Sequence, residues 1–183
     1  TDGTAAGTRR FADLVPGTAS STPFSFARTT SRLFFLALKP PLSGPQLWVT
    51  DGTVAGTQAL TSLTTAANDL FLATDGDVAW LAVGGAQLST RQLWRSDGTL
   101  AGTTLVHDFG LELFESFQVL GGEVRLTTYG TTAGRREWRS DGTPAGTRLD
   151  LVAPANVVQR LFAGGRDFAL VRNTQATSSY FFD

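Results

Sequence analysis

The groups from which this chain could assemble a reaction centre are few: one histidine, no cysteine, and the glutamates Glu112, Glu115, Glu123 and Glu137. A nucleophilic triad needs a hydroxyl, a base and an orienting acid. His107 is the only imidazole, and it sits beside Asp108 at the end of a predicted outer strand, where it is expected to face solvent. The Gly-x-Ser-x-Gly elbow is missing. Carboxylate chemistry has more to work with, since Glu112 and Glu115 flank a loop and a glycosidase needs two carboxyls at a set separation. A sialidase-like site would need a tyrosine nucleophile, from Tyr129 or Tyr180, and an arginine cluster, from Arg125, Arg135, Arg136 and Arg172. Without cysteine there is no thiolate metal site, and one histidine excludes a multi-histidine centre. The pairs Gly84-Gly85, Gly121-Gly122 and Gly164-Gly165 precede no Gly-Lys-Ser/Thr, so they read as turns rather than phosphate loops.

Composition narrows the classes further. The chain has 183 residues, a net charge of -1, 42% hydrophobic and 17% charged residues. That balance supports a packed core. The patch Arg135, Arg136 and Arg139 is too small to imply nucleic acid. No apolar run reaches the roughly 20 residues of a membrane helix. The chain contains no methionine, so it reads as a processed form or a segment of something longer.

What positions these groups is a repeat. Gln46-Leu47-Trp48-Val49-Thr50-Asp51-Gly52-Thr53-Val54-Ala55-Gly56-Thr57 returns from Gln92 to Thr103 and again from Arg136 to Thr147. A fourth copy, Thr1-Asp2-Gly3-Thr4-Ala5-Ala6-Gly7-Thr8, opens the chain. Its missing lead lies at the other end, where Phe181-Phe182-Asp183 aligns with Leu47-Trp48-Val49. The aspartates Asp2, Asp51, Asp97 and Asp141 recur at about 45-residue intervals, the period of a propeller blade. Each unit reads as four short strands. In the second unit they are Leu70–Ala73, Val78–Val83, Gln92–Ser96 and one from Thr103 to about Val106, with an Asp-Gly hairpin between the first two. Threonine and aromatic content favours strand, and prolines fall in loops.

The three full motifs resemble the bacterial repeat family known as ELWxxDGT, whose members are mostly secreted or surface-associated and are held to form β-propellers. The resemblance covers all four units. Gln46 and Gln92 stand in the place of glutamate, Glu137 in that of leucine, and Phe182 in that of tryptophan. It implies a propeller and an extracellular or cell-surface address, and no agreed activity.

Within the motif, Trp48, Trp94 and Trp138 offer large apolar surfaces for packing between blades. Asp51, Asp97 and Asp141 are expected to accept backbone N–H bonds and fix a turn, with the following glycine at positive φ. The Ala-Gly-Thr that follows is expected to add a second kink. This logic resembles the aspartate box of sialidases, a brace remote from the catalytic centre. Calcium is the one metal the motif could hold, but each loop offers a single carboxylate and calcium takes six to eight oxygens.

The expected fold is all-β: a propeller of four four-stranded blades forming one domain over 1–183. The repeats run approximately 12–60, 61–106, 107–151, and 152–183 plus 1–11. A strand around Tyr180–Asp183 is expected to pair with one around Thr8–Phe11 and close the ring. The competing forms are an eight-bladed ring from two chains and part of a longer propeller. The expected function is a non-catalytic interaction module for adhesion, assembly or glycan binding, as a monomer or homodimer, with no catalytic residues and no cofactor. A protein or glycan partner would meet the variable loops Lys39–Gly44, Gly84–Thr90, Tyr129–Gly134 and Asn173–Ser178. The competing function is a glycan-processing hydrolase.

Overall fold

The computed structural model describes residues 2–42, 44–63, 69–84, 91–130, 134–152, 157–163 and 166–171, and from residue 151 onward it describes the backbone. The first sheet runs β1 (Phe24–Arg28), β2 (Leu33–Leu38), β3 (Pro45–Thr50) and β4 (Gln58–Ala59). The second runs β5 (Asp69–Asp75), β6 (Val78–Gly84), β7 (Gln92–Ser96) and β8 (Thr104–Asp108). The third runs β9 (Leu113–Leu120), β10 (Glu123–Gly130), β11 (Gly134–Ser140) and β12 (Arg148–Val152). Each is a four-stranded antiparallel meander in chain order, and β13 (Val157–Ala163) pairs with β14 (Arg166–Val171) as a hairpin. For the first three repeats this is the all-β, four-strands-per-repeat architecture read from the sequence.

Tight turns make the meanders possible. Gly76 between β5 and β6 has φ 56°, and Gly121 and Gly122 between β9 and β10 have φ 61° and 78°. These left-handed conformations match the twist of the flanking strands and cost a residue with Cβ dearly. The register then fixes the faces, because alternate side chains of a strand point to opposite sides.

The sheets stack through those faces. From β2, Phe34 and Leu36 pack with Ala79, Leu81 and Val83 of β6, joined by Leu47, Val49 and Leu60. From the other face of β6, Trp80 and Ala82 pack with Phe114, Val124 and Leu126 of the third sheet. The middle sheet is thus covered on both sides. That is why β6 reads Val-Ala-Trp-Leu-Ala-Val, a continuous apolar run, instead of alternating. Burying one such Leu or Phe side chain contributes about 1.5–3 kcal/mol. The first strands of the three sheets, β1, β5 and β9, lie side by side, β1 against β5 and β5 against β9.

Two expectations change. Residues 8–11 form no strand; the chain there runs on to Leu14, which packs against the first sheet's outer face, on Phe35 and Trp48. The expected partner Tyr180–Asp183, with Phe182, lies outside the described residues. His107 does not face solvent: it is half-buried in β8, its ring 4.6 Å from Phe109 and 5.3 Å from Trp138, because the third sheet packs over this end of the second.

Candidate functional site: the repeated turn and the opposite loop face

The Asp-Gly-Thr turns sit at one end of the sheets and the β2–β3, β6–β7 and β10–β11 loops at the other, as the meander requires. All four turns are built alike. Asp97 Oδ1 accepts the Thr99 amide at 2.8 Å and the Thr99 hydroxyl at 2.7 Å. That hydroxyl oxygen in turn accepts the Gly102 amide at 2.9 Å. Thr103 Oγ1 donates to the Thr99 carbonyl at 2.6 Å and lies 2.7 Å from Ser96 Oγ, which accepts the Gly98 amide at 3.0 Å. Asp51 and Asp141 repeat the whole set, with Thr50 and Ser140 in the place of Ser96. Asp2 repeats the Asp-to-Thr part of it.

Both glycines of the motif have a physical reason, and the reasons differ. Gly52, Gly98 and Gly142 have φ of 92°, 86° and 91°. Gly56, Gly102 and Gly146 do not add a positive-φ kink: a Cβ there would collide with the carboxylate of the motif aspartate, which folds back against the backbone. The Thr hydroxyl first, and the Thr backbone N–H next, hold the carboxyls of Asp2, Asp51, Asp97 and Asp141 below their ordinary value. Arg32 adds to this at Asp51 and Asp97. Among the described residues no group of three acidic, His or Cys side chains is placed to hold a metal.

Two of the three full-motif tryptophans pack between layers. Trp94 joins the core between first and second sheets, and Trp138 that between second and third. Trp48 lies on the outer face of the first sheet with Phe35, stacked at 6.2 Å. Their indole N–H groups donate to Ala37 O (Trp48), Gln92 Oε1 (Trp94) and Thr128 Oγ1 (Trp138). Gln46, two residues before the motif tryptophan, is fully buried and ties β3 to the chain leaving β4, bonding Thr61 and Leu63.

At the loop end, the candidate catalytic carboxylates are already engaged. Glu112 accepts from Thr128 Oγ1 and pairs with Arg136. Glu115 pairs with Arg135 at 2.5 Å. Tyr129 stands opposite Arg135 in the β10–β11 register and is 44% exposed. Lys39 Nζ lies 6.0 Å from the Trp48 ring. At the turn end of the same sheet, Arg125 pairs with Glu123, and Arg139 with Asp150 at 2.5 Å. Most of Gly84–Thr90, the centre of Tyr129–Gly134 and all of Asn173–Ser178, with Arg172 and Tyr180, fall outside the described residues.

Sequence reasoning missed the residues that cover the turns. Arg32 donates to the Asp97 carbonyl of the next sheet, and Trp80 and Arg95 lie over Gly142. No comparison of repeats could have found Arg32, since Val78 and Glu123 hold its place in the next two units.

These features define an all-β repeat protein of stacked four-stranded meanders braced by one recurring turn. No protein-family model matches the chain, and no curated protein matches it. Among solved structures it is similar to a chain of a nidogen/laminin complex, with 14% identity and a TM-score of 0.47 over 81% of this chain. The match spans 55% of that chain's length.

Proposed function

We propose that the chain is a non-catalytic interaction module: a propeller of four repeats, related to the ELWxxDGT proteins and exported or displayed at the cell surface, whose loop face binds a glycan or protein partner. The motif resemblance supports the family and the address. The meander, its period and the layer-by-layer placement of Trp94 and Trp138 support stacked propeller-like blades. The observation that carries the binding role is at the loop end of the third sheet. There an exposed Tyr129 ring neighbours the Arg135–Glu115 pair on a framework held rigid by the turns at the far end. An aromatic face flanked by planar polar groups suits a sugar ring. Glu112 and Glu115, committed to Arg136, Thr128 and Arg135, are poorly set for acid–base work.

The test is retention of the labelled chain on an array of oligosaccharides, alongside the Tyr129→Ala and Arg135→Ala variants. Saturable binding lost in both variants and kept in Asp97→Ala supports the reading. Hydrolysis of any arrayed sugar, abolished by Glu112→Gln or Glu115→Gln, overturns it. Failure on every glycan with saturable binding to a protein through the same residues leaves the module and replaces the ligand.

A further inference from the structure

Arg91 and Arg135 hold the same place in successive repeats, three residues before the motif tryptophan and at the loop end of their sheets. Their surroundings differ. Arg135 stands opposite Tyr129, and its guanidinium pairs with Glu115 at 2.5 Å. Glu115 is the extra residue of a bulge in β9, since Ser116 pairs with Thr127 and Phe114 with Thr128. In the second sheet β5 pairs with β6 in unbroken register from Asp69 to Asp75, so no bulge brings an acid to Arg91. Val83 pairs with Gln92, which puts Gly84 opposite Arg91, in the place that Tyr129 holds in the third sheet.

Arg91 is buried all the same, at 4% exposed. Its stem lies across Gly84, where a Cβ would meet Arg91 Cγ at 3.0 Å and Nε at 3.3 Å. Its carbonyl accepts the Phe109 amide at 2.7 Å, which fixes the backbone. Nε is shut off from water without a hydrogen-bond partner, and among the described residues no carboxylate lies within 4.0 Å of the guanidinium. The nearby acids are placed otherwise. Glu112 gives one oxygen to Arg136 and the other to Thr128. Asp108 Oδ1 accepts the Gly110 amide at 2.8 Å. Asp69 stands in the same cross-strand row, but on β5, two strands away. A buried charge is normally paired, and an unpaired guanidinium is a standing cost to the fold that a bound anion offsets.

We propose that Arg91 is an anion-binding residue at the loop end of the second sheet and that it receives the carboxylate of an acidic sugar. The third sheet supplies its own carboxylate to the equivalent arginine, and the second sheet does not. A carboxylate takes two parallel N–H bonds from a guanidinium, which a sugar hydroxyl cannot match. The assignment narrows the proposed ligand to glycans that carry acid groups, and it rests on the glycan-binding reading of the loop face. Thr128 faces the second sheet through Trp138, so Tyr129, next along β10, faces away from it. Arg91 and Tyr129 therefore meet different sugar units.

The experiment is calorimetric titration of the intact chain with glucuronate, glucose, acetate and tetraglutamate, beside thermal melting of the Arg91→Met and Arg91→Lys variants. Glucuronate is expected to bind saturably and roughly tenfold more tightly than glucose. Binding should weaken in Arg91→Lys, which keeps the charge and loses the planar fork, and vanish in Arg91→Met. Arg91→Met should melt no lower than wild type, because an apolar side chain relieves the unpaired charge. Melting well below wild type would give the guanidinium a structural partner and overturn the proposal. Equal affinity for glucuronate and glucose overturns it as well. Acetate binding as tightly as glucuronate assigns a free small anion instead, and preference for tetraglutamate assigns an acidic protein; either result overturns the sugar assignment. Neutral glycans retained through Tyr129, with no response to glucuronate, defeat the acid site and leave the binding role standing.

Discussion

The Asp97 carboxylate occupies the space in which a Cβ on Gly102 would sit. Five residues apart in sequence, the two close the turn into a compact ring of hydrogen bonds: carboxylate to Thr99, and Thr99 to the Gly102 amide. Gly102→Ala should push the carboxylate out and break these bonds, costing about 2 kcal/mol by overpacking and lost bonding. Urea unfolding of the variant against wild type measures it. A loss no larger than that of Ala101→Gly would show that the carboxylate is not held where the structure places it.

Acid should weaken the fold through the same turns. The Thr hydroxyl and Thr amide hold each motif carboxyl below its ordinary value of 3.8 in the folded chain. A lowered folded value means the stabilisation is complete above the unfolded value and is lost as pH falls through the folded one. Melting temperature should thus be level near neutral pH and fall below about pH 4. Replacing the motif aspartates by asparagine should flatten that acid limb. An acid limb of unchanged steepness in the multiple asparagine variant would place the titrating groups elsewhere.

Glu112 is predicted to be a structural residue. Its side chain is 12% exposed and serves two partners, the Arg136 guanidinium and the fully buried Thr128 hydroxyl. Glu112→Ala would leave both without their acceptor, a loss of about 2 kcal/mol. Glu112→Gln should recover part of it, since an amide oxygen can still accept from Thr128. Denaturant midpoints of the two variants check this, and equal midpoints for wild type and Glu112→Ala would refute it.

The strands and the turn were legible because their causes are local. An Asp, a Thr two residues on and a Gly five residues on are enough. The Asp2 copy makes the same bonds although residues 8–11 after it form no strand. The reason for the continuous apolar run of β6, coverage on both faces, shows only in the packing of the sheets. Contacts between sheets were not legible. Arg32 reaches a carbonyl 65 residues away, and nothing in its neighbourhood marks it. His107 was misplaced for the same reason, since what buries it comes from Phe109 and from Trp138 of the next sheet. The engagement of Glu112 and Glu115 depends on cross-strand register, which the repeat alone does not fix.

Trp80 offers a sharper test of packing. It is 2% exposed between the second and third sheets, and its indole N–H has no hydrogen-bond partner among the described residues. Trp48 is as well buried at 5% exposed, but its indole N–H donates to the Ala37 carbonyl at 3.2 Å. Changing either to phenylalanine removes ring volume and its dispersion contacts. In Trp80→Phe the loss is offset by removing a buried donor that had forfeited its bond to water, worth about 1–3 kcal/mol. In Trp48→Phe a made bond is lost as well. Trp80→Phe should therefore destabilise less than Trp48→Phe by at least about 1 kcal/mol. Equal losses in paired urea titrations would mean that the Trp80 donor is satisfied in solution, for instance by a buried water between the sheets.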